Sequence, residues 1–174
     1  IFQKKNSAQV LVVVLAVVGM LLANGRFMPE ILFIKPPYLV NDSQRNVNVA
    51  IALNELTTSD ATVAVFSAGA IPYFTDRKAI DVLGKSDRYI AQLPPDLSGR
   101  IAWSGMSSVP GHNKYDLNYS IKKFEPTYVQ RFFWGGQDLS QWAKTKYIKV
   151  EYKGISLFLL KDSPLVLWSK LNIP

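Results

Sequence analysis

One uninterrupted apolar run lies near the start of the chain. Residues 8–23 read AQVLVVVLAVVGMLLA, and Gln9 is the only polar side chain among them. With flanking apolar residues such as Phe27, the stretch reaches the roughly 20 residues that a bilayer-spanning helix needs. The run has no polar face, which is atypical of a helix on the surface of a soluble domain. We therefore expect one transmembrane helix within residues 1–27.

Two alternatives for this run stay open. It could be a signal peptide, with Lys4 and Lys5 as the charged start, or a buried core helix. Lys4 and Lys5 precede the run and Arg26 follows it, so the positive-inside rule places the N-terminus in the cytoplasm and the rest outside. Because the chain begins with Ile1 rather than Met, we expect a fragment or a processed chain.

The next segment is rich in proline. Residues 28–41 contain Pro29, Pro36 and Pro37, which prevent one continuous helix. We expect an extended connector over 28–41, with the rings of Phe33 and Tyr38 at the membrane interface.

From residue 42 onward the apolar periodicity changes several times. Asp42 or Ser43 can cap a helix over about 44–57, whose apolar stripe includes Val47, Ala50 and Ile51, with Val49, Leu53 and Leu56 beside it. The β-branched runs and the alternating stretch predict strands at 61–66, 79–83, 127–133, 146–152 and 155–160.

Short helices are expected between these strands. They follow the turn at 67–70, start after a Ser86 cap, and cover 117–124 and 137–143. Strands that alternate with helices predict a small, mainly parallel sheet flanked by helices. The Lys153–Gly154 turn adds a C-terminal antiparallel hairpin. The predicted fold is therefore an α/β domain over 42–174, preceded by one transmembrane helix.

The composition restricts the chemistry. The 174 residues include no Cys and one His, which excludes thiol catalysis, disulfides, Cys-ligated zinc and multi-His metal sites, so no cofactor is expected. The net charge of +7 indicates an anionic partner. We do not expect nucleic acid, because no basic run is interleaved with aromatic residues. Membrane lipid or a phosphate-bearing substrate fits better.

Candidate site residues follow the predicted strands, at the sheet edge where α/β folds bind ligands. Gly69 lies in the turn after the first strand, and Tyr73 follows with a ring that can stack on a sugar. Asp81 lies within the second strand and Asp87 just after it. A structural interpretation stays open for two of them: turn geometry for Gly69, and a cap or a bridge to the neighbouring loop for Asp81.

The segment PGHNKYD at 110–116 belongs to a long loop over 94–116, which also contains Trp103. It places the one His, His112, beside Lys114. His112 can act as a base or contact a ligand, and Lys114 can bind phosphate as a point charge. The alternative is a loop histidine bonded to backbone, with Lys114 solvated.

Several of these short motifs resemble a known family. The stretch ATVAVFSAGAIPYFTDRKAIDVLGKSDRYIA at 61–91, then PGHNKYD and FEPTYV, is similar to the C-terminal domain that follows the last transmembrane helix in bacterial polytopic glycosyltransferases of the GT-C class. These enzymes are relatives of protein mannosyltransferases and arabinofuranosyltransferases. The shared residues are Ala68-Gly69 with Pro72-Tyr73, Asp81 with Leu83-Gly84, Asp87 with Ile90-Ala91, and Gly111-His112 with Lys114.

The resemblance implies an accessory extracytoplasmic domain of a membrane glycosyltransferase in the bacterial inner membrane. The enzyme would use a polyprenyl-phosphate sugar donor and a glycan or protein acceptor, and this domain would contact the rest of the enzyme and shape the acceptor site. No residue here matches the family's catalytic carboxylate, so whether this chain is itself an enzyme stays open. The alternative is a single-pass, membrane-anchored domain that binds a ligand or partner without catalysis.

Overall fold

The computed structural model describes residues 7–37, 39–98 and 111–171. The chain divides into two compact units, Ile1–Asp42 and Ser43–Pro174, which we call the N-terminal and C-terminal units. The sequence-based expectations for Lys4, Lys5, Tyr38, Trp103 and Pro110 lie outside the described residues.

The N-terminal unit is dominated by helix α1, Ser7–Asn24. Among the described residues it is the one helix long and apolar enough to cross a membrane, with a mean hydropathy of 2.2. Its 18 residues span about 27 Å at 1.5 Å per residue. None of its residues is buried, which argues against a core helix; the signal-peptide alternative stays open.

The segment after α1 is not extended as predicted. A 3₁₀ turn at Gly25–Phe27 leads into a short helix, α2, Met28–Ile31. Pro29 fits there because it lies in the first turn, where a backbone N–H has no intrahelical acceptor to lose. Helix α3 then begins at Val40, so Asp42 lies in its first turn and does not precede it as a cap.

Helix α3, Val40–Leu56, buries most of the apolar residues predicted for its inner side, but not Ile51. Ile51 was assigned to the apolar stripe, yet it is 50% exposed. Leu53 is fully buried, and it shares the inner face with Val49, Ala50, Ala52 and Leu56. Ile51 points away from this face because it lies two positions, or about 200° around the helix, from both Val49 and Leu53.

A five-stranded sheet forms the centre of the C-terminal unit. Its strands are β1 Thr62–Val65, β2 Lys78–Asp81, β3 Tyr128–Val129, β6 Tyr147–Tyr152 and β7 Ile155–Leu160. In spatial order they are β2-β1-β3-β7-β6; β1 pairs in parallel with β2 and β3, and β7 pairs antiparallel with β3 and β6. The predicted α/β fold with a C-terminal hairpin is confirmed.

The prediction was wrong between 130 and 139. Only two residues of the predicted strand 127–133 join the sheet, and β4, Phe133–Trp134, instead pairs with β5, Gln137–Asp138, in a separate small hairpin. Helix α6 consequently covers Ser140–Lys146 and not 137–143. The two glycines at 135–136 make this tight turn possible, and Gly135 has a φ of 52°.

The remaining helices lie between these strands. They are α4, Ala70–Thr75; α5, Arg88–Gln92; and a π-helical segment, Asn118–Lys123. The sheet is covered on both faces. On one face Val63 and Val65 pack with α3; on the other, Ala64 and Phe66 pack with the π-helical segment and α6.

We predict that Gly84→Ala destabilises the C-terminal unit strongly. Gly84 has a φ of 67°, and an added Cβ would overlap the Ile90 side chain and lie 3.0 Å from the Ala91 nitrogen. Gly154 has a φ of 77° with open space around it, so Gly154→Ala isolates the backbone strain. Chemical denaturation should show Gly84→Ala about 1–3 kcal/mol less stable than Gly154→Ala. Equal losses would contradict the close packing on Ile90.

Candidate anion-binding site

The carboxyl ends of the three parallel strands meet at one edge of the sheet. Val65 is in register with Asp81, and the Gln130 side chain bridges the loops after β1 and β3. Its Oε1 accepts hydrogen bonds from the backbone N–H groups of Phe66, at 2.7 Å, and Ser67, at 3.3 Å. We call this edge, formed by residues 66–69, 82–86 and 130–134, the carboxyl edge.

A cation stacked on two rings lies at the carboxyl edge. The Arg131 guanidinium carbon is 5.2 Å from the Phe66 ring centre and 5.4 Å from that of Trp134, and the two rings are 5.3 Å apart. Phe66 is buried, whereas Arg131 and Trp134 are half-buried. Within the part of the chain that the structure describes, no carboxylate pairs with this guanidinium. Its planar, fork-shaped donors are the type that recognises phosphate and carboxylate groups.

His112 lies beside this stack. Its backbone carbonyl accepts a 2.9 Å hydrogen bond from the Trp134 indole N–H, and its ring centre is 6.3 Å from that of Trp134. The His112 Nε2 atom is 3.4 Å from the Lys85 ammonium, and it accepts that hydrogen bond when the ring proton is on Nδ1. Lys85 and Arg131 therefore add two positive charges around His112 and Trp134.

The loop that carries His112 is fixed by Tyr115. The Tyr115 hydroxyl donates to the Asp96 carboxylate and accepts a 3.1 Å hydrogen bond from the Gly136 N–H. Burial, followed by the neighbouring Asp96, raises the pKa of Tyr115. Hydrogen bonds from Ser98 and Tyr115 lower the pKa of Asp96 to about 2. These bonds connect the loop to the β4–β5 hairpin.

This network predicts a contribution to acid stability. A carboxylate with a lowered pKa stabilises the folded state above its unfolded pKa of about 4, and that contribution is lost as the pH falls toward 2. Asp96→Asn should therefore flatten the stability profile between about pH 4 and pH 2 in acid titrations followed by circular dichroism. Asp60→Asn, at an exposed turn before β1, is the control. Parallel profiles for Asp96→Asn and wild type would show that Asp96 does not hold the loop.

Asp81 and Asp87 have structural contacts. The Asp81 carboxylate is buried and accepts from the Leu83 N–H at 3.1 Å, and from the Ser86 N–H and hydroxyl at 2.7 and 3.0 Å. Asp87 caps α5 by accepting from the Ile90 N–H at 3.0 Å, so the predicted cap at Ser86 was wrong. Both aspartates shape the turn that carries Lys85.

The structure places the other predicted residues at separate positions around the carboxyl edge. The Lys114 ammonium donates to the Ala91 carbonyl at 2.7 Å, in the last turn of α5. Gly69 is the cap residue of α4, and a Cβ there would meet open space. Tyr73 is 80% exposed and stacks edge-on against Phe74 at 4.9 Å. Whether any of these residues contacts a ligand stays a prediction.

Sequence reasoning did not identify Phe66, Lys85, Arg131 and Trp134. Arg131 lay inside the predicted strand 127–133. A continuous strand there gave no reason to expect its guanidinium beside the rings of Phe66 and Trp134. The glycines at 135–136 were the available signal, because they favour a tight turn in which Phe133–Trp134 pairs with Gln137–Asp138 in a separate hairpin. Lys85 directly follows Gly84, a further turn signal after β2.

One comparison with known proteins gives a family. Residues 35–165 match a domain of unknown function, DUF8728, which covers about three-quarters of the 174 residues. The chain belongs to the DUF8728 family. No curated protein and no solved structure matches the chain. The matched DUF8728 region contains every element of the carboxyl edge.

Proposed function

We propose that this DUF8728 chain is a membrane-anchored domain that binds the phosphate and sugar of a polyprenyl-phosphate sugar at its carboxyl edge. In this proposal it is the accessory extracytoplasmic domain of a membrane glycosyltransferase of the GT-C class. The observation that carries the proposal is the Arg131 guanidinium stacked on Phe66 and Trp134 beside Lys85.

The charges at this edge favour a phosphate. Arg131 supplies a planar donor fork and Lys85 a point charge, and the contacts with the Phe66 and Trp134 rings hold the Arg131 guanidinium at the edge. The Asp81 carboxylate, at the end of β2, accepts three hydrogen bonds from its own turn. The Asp81 carboxylate is therefore bound to the protein and is not positioned as a proton acceptor for substrate.

The residues shared with the GT-C glycosyltransferase domain stabilise the segments around this site. Gly84 packs against Ile90, Asp87 caps α5, and the Lys114 ammonium binds the Ala91 carbonyl. These residues hold α5 and the loop of His112 around Lys85. We infer that the motif preserves the shape of the edge, while Arg131 and Trp134 provide the ligand contacts.

A titration with matched lipids tests the proposal. The full chain in nanodiscs is titrated with a polyprenyl phosphate and with the corresponding polyprenyl alcohol, which differ only in the phosphate. We expect the phosphate to bind at least tenfold more tightly, and tryptophan fluorescence to report binding. Equal affinity for the two lipids would overturn phosphate recognition.

The glycosyltransferase assignment has its own test. The sequence upstream of Ile1 in the complete gene should encode eight or more further hydrophobic spans, with a pair of acidic residues in the first outer loop. A start codon immediately before Ile1 would favour the single-pass alternative, in which the same edge binds a ligand without catalysis.

The proposal also predicts the side of the membrane. Lys4 and Lys5 precede the apolar run, so the C-terminal unit should lie outside the cytoplasm. Alkaline phosphatase fused after Pro174 should be active, and green fluorescent protein fused at the same position should not fluoresce after export in unfolded form. A fluorescent fusion with inactive phosphatase would reverse the orientation.

A further inference from the structure

The short helix after α1 ends in a Schellman turn with an unusual residue. The Phe33 N–H donates to the Glu30 carbonyl at 3.1 Å, and the Ile34 N–H donates to the Pro29 carbonyl at 2.8 Å. These are the two hydrogen bonds of the Schellman motif, in which the left-handed position normally belongs to glycine. Here Phe33 occupies it, with a φ of 56°.

The turn presents four consecutive large apolar side chains to its surroundings. Phe33 is 94% exposed and Ile34 75%, while Ile31 and Leu32 are 62% and 58% exposed. A β-carbon at a positive φ is strained, so this arrangement needs a compensating contact. None of the residues that the structure describes covers these four side chains.

We propose that the Ile31–Ile34 turn lies within the interfacial layer of the same bilayer that α1 crosses, with Phe33 as its deepest side chain. Six residues, all in 3₁₀ or α-helical turns, separate Asn24 from Ile31. They rise about 1.5–2 Å per residue, so Ile31 lies at most roughly 15 Å from the end of α1. The headgroup layer on each side of the hydrocarbon is about 5–8 Å deep, so the chain can reach it from the end of α1 with no extended segment.

The polar groups of the turn are arranged for this position. The Glu30 carboxylate is 3.7 Å from the Lys35 ammonium, and the Glu30 side chain is only 13% exposed. Pairing reduces the cost of holding a carboxylate near lipid. Lys35 can extend its ammonium toward the headgroup phosphates while its stem follows the apolar surface. An apolar turn directly flanked by the Glu30–Lys35 pair combines the two kinds of group that the membrane interface accommodates.

Because the chain contains no Cys, single nitroxide labels can measure depth directly. The full chain is reconstituted in phosphatidylethanolamine–phosphatidylglycerol vesicles with one label per variant, at Leu32→Cys or Ile34→Cys. Collisions with oxygen report lipid and collisions with a nickel chelate report water. Leu15→Cys in α1 is the lipid reference, and Gln141→Cys, at an exposed position on α6, is the water reference.

We expect the labels at 32 and 34 to be several-fold less accessible to nickel than the label at 141. Adding Phe33→Gly, which relieves the strain and removes the ring, should raise nickel accessibility at 34. This inference rests on the proposed membrane anchoring, and Leu15→Cys separates the two. Water-like values at 32 and 34 with a lipid-like Leu15 would overturn the interfacial turn alone; water-like values at all three would overturn the anchoring as well.

Discussion

Replacing Leu53 with Asp is expected to unfold the C-terminal unit. Leu53 is fully buried in α3 and packs in the core cluster with Val63 and Leu157. A carboxylate buried there without a partner costs several kcal/mol. That cost approaches the total stability of an ordinary domain, about 5–15 kcal/mol. Circular dichroism and thermal unfolding of the purified chain should show no cooperative transition.

Ile51→Asp provides the matched control on the same helix. Ile51 is 50% exposed, so its replacement by Asp leaves the charge in water and should change stability by no more than about 0.5 kcal/mol. The pair also tests the inner face of α3, because the apolar pattern alone assigned Ile51 to the core stripe. A folded Leu53→Asp variant together with an unfolded Ile51→Asp variant would reverse that assignment.

Arg131→Gln should produce the largest loss of ligand binding. Removing the guanidinium takes away both the donor fork and a charge, and hydrogen bonds that involve charged groups contribute about 1.5–3 kcal/mol. We expect the affinity of the chain in nanodiscs for polyprenyl phosphate to fall at least tenfold, which corresponds to about 1.4 kcal/mol. Arg131→Lys keeps the charge without the fork and should fall in between.

Lys149→Gln controls for the change in net charge. Lys149 lies on β6, at the opposite side of the sheet from β2, and pairs with Glu151 at 3.5 Å on the surface. Its removal should leave the affinity nearly unchanged. Thermal unfolding of all three variants separates binding from folding, because Arg131 also covers the rings of Phe66 and Trp134. Equal losses of affinity for Arg131→Gln and Lys149→Gln would show that only the net positive charge of the chain matters, and would contradict a specific contact with Arg131.

The fold could be predicted from sequence where periodicity is strong. The alternation in 147–152 and the Lys153–Gly154 turn specify the β6–β7 hairpin, and both residues of the turn adopt positive φ values. The prediction of one strand over 127–133 was wrong because its aromatic residues look like a continuous strand run. Phe132 instead packs against the rings of Tyr147 and Phe158, outside the strand. Aromatic side chains can fill a core from a loop as well as from a strand, so an aromatic run alone does not specify a strand.

The candidate site could be predicted only in part. The rule that ligands meet the carboxyl ends of parallel strands directed attention to the correct loops, including that of His112. Which side chains face one another depends on hydrogen bonds that join distant segments, such as Gln130 to Phe66 and Trp134 to the His112 carbonyl. Contacts of this kind leave no periodic signal in the sequence. Lys114 illustrates the opposite error: the sequence suggested a phosphate contact, but the structure shows its ammonium donating to the Ala91 carbonyl of α5.

The central claim, that the carboxyl edge binds a sugar phosphate, can be measured at Trp134 itself. The chain contains four tryptophans, and the Trp134 indole N–H donates to the His112 carbonyl within the edge. In nanodiscs, ¹⁵N-labelled indole signals are recorded while mannose 1-phosphate or mannose is added, and Trp134→Phe assigns the Trp134 signal. We predict a saturable shift of the Trp134 signal with mannose 1-phosphate, a much weaker one with mannose, and none for Trp168. A Trp134 signal that does not move with mannose 1-phosphate would contradict the account.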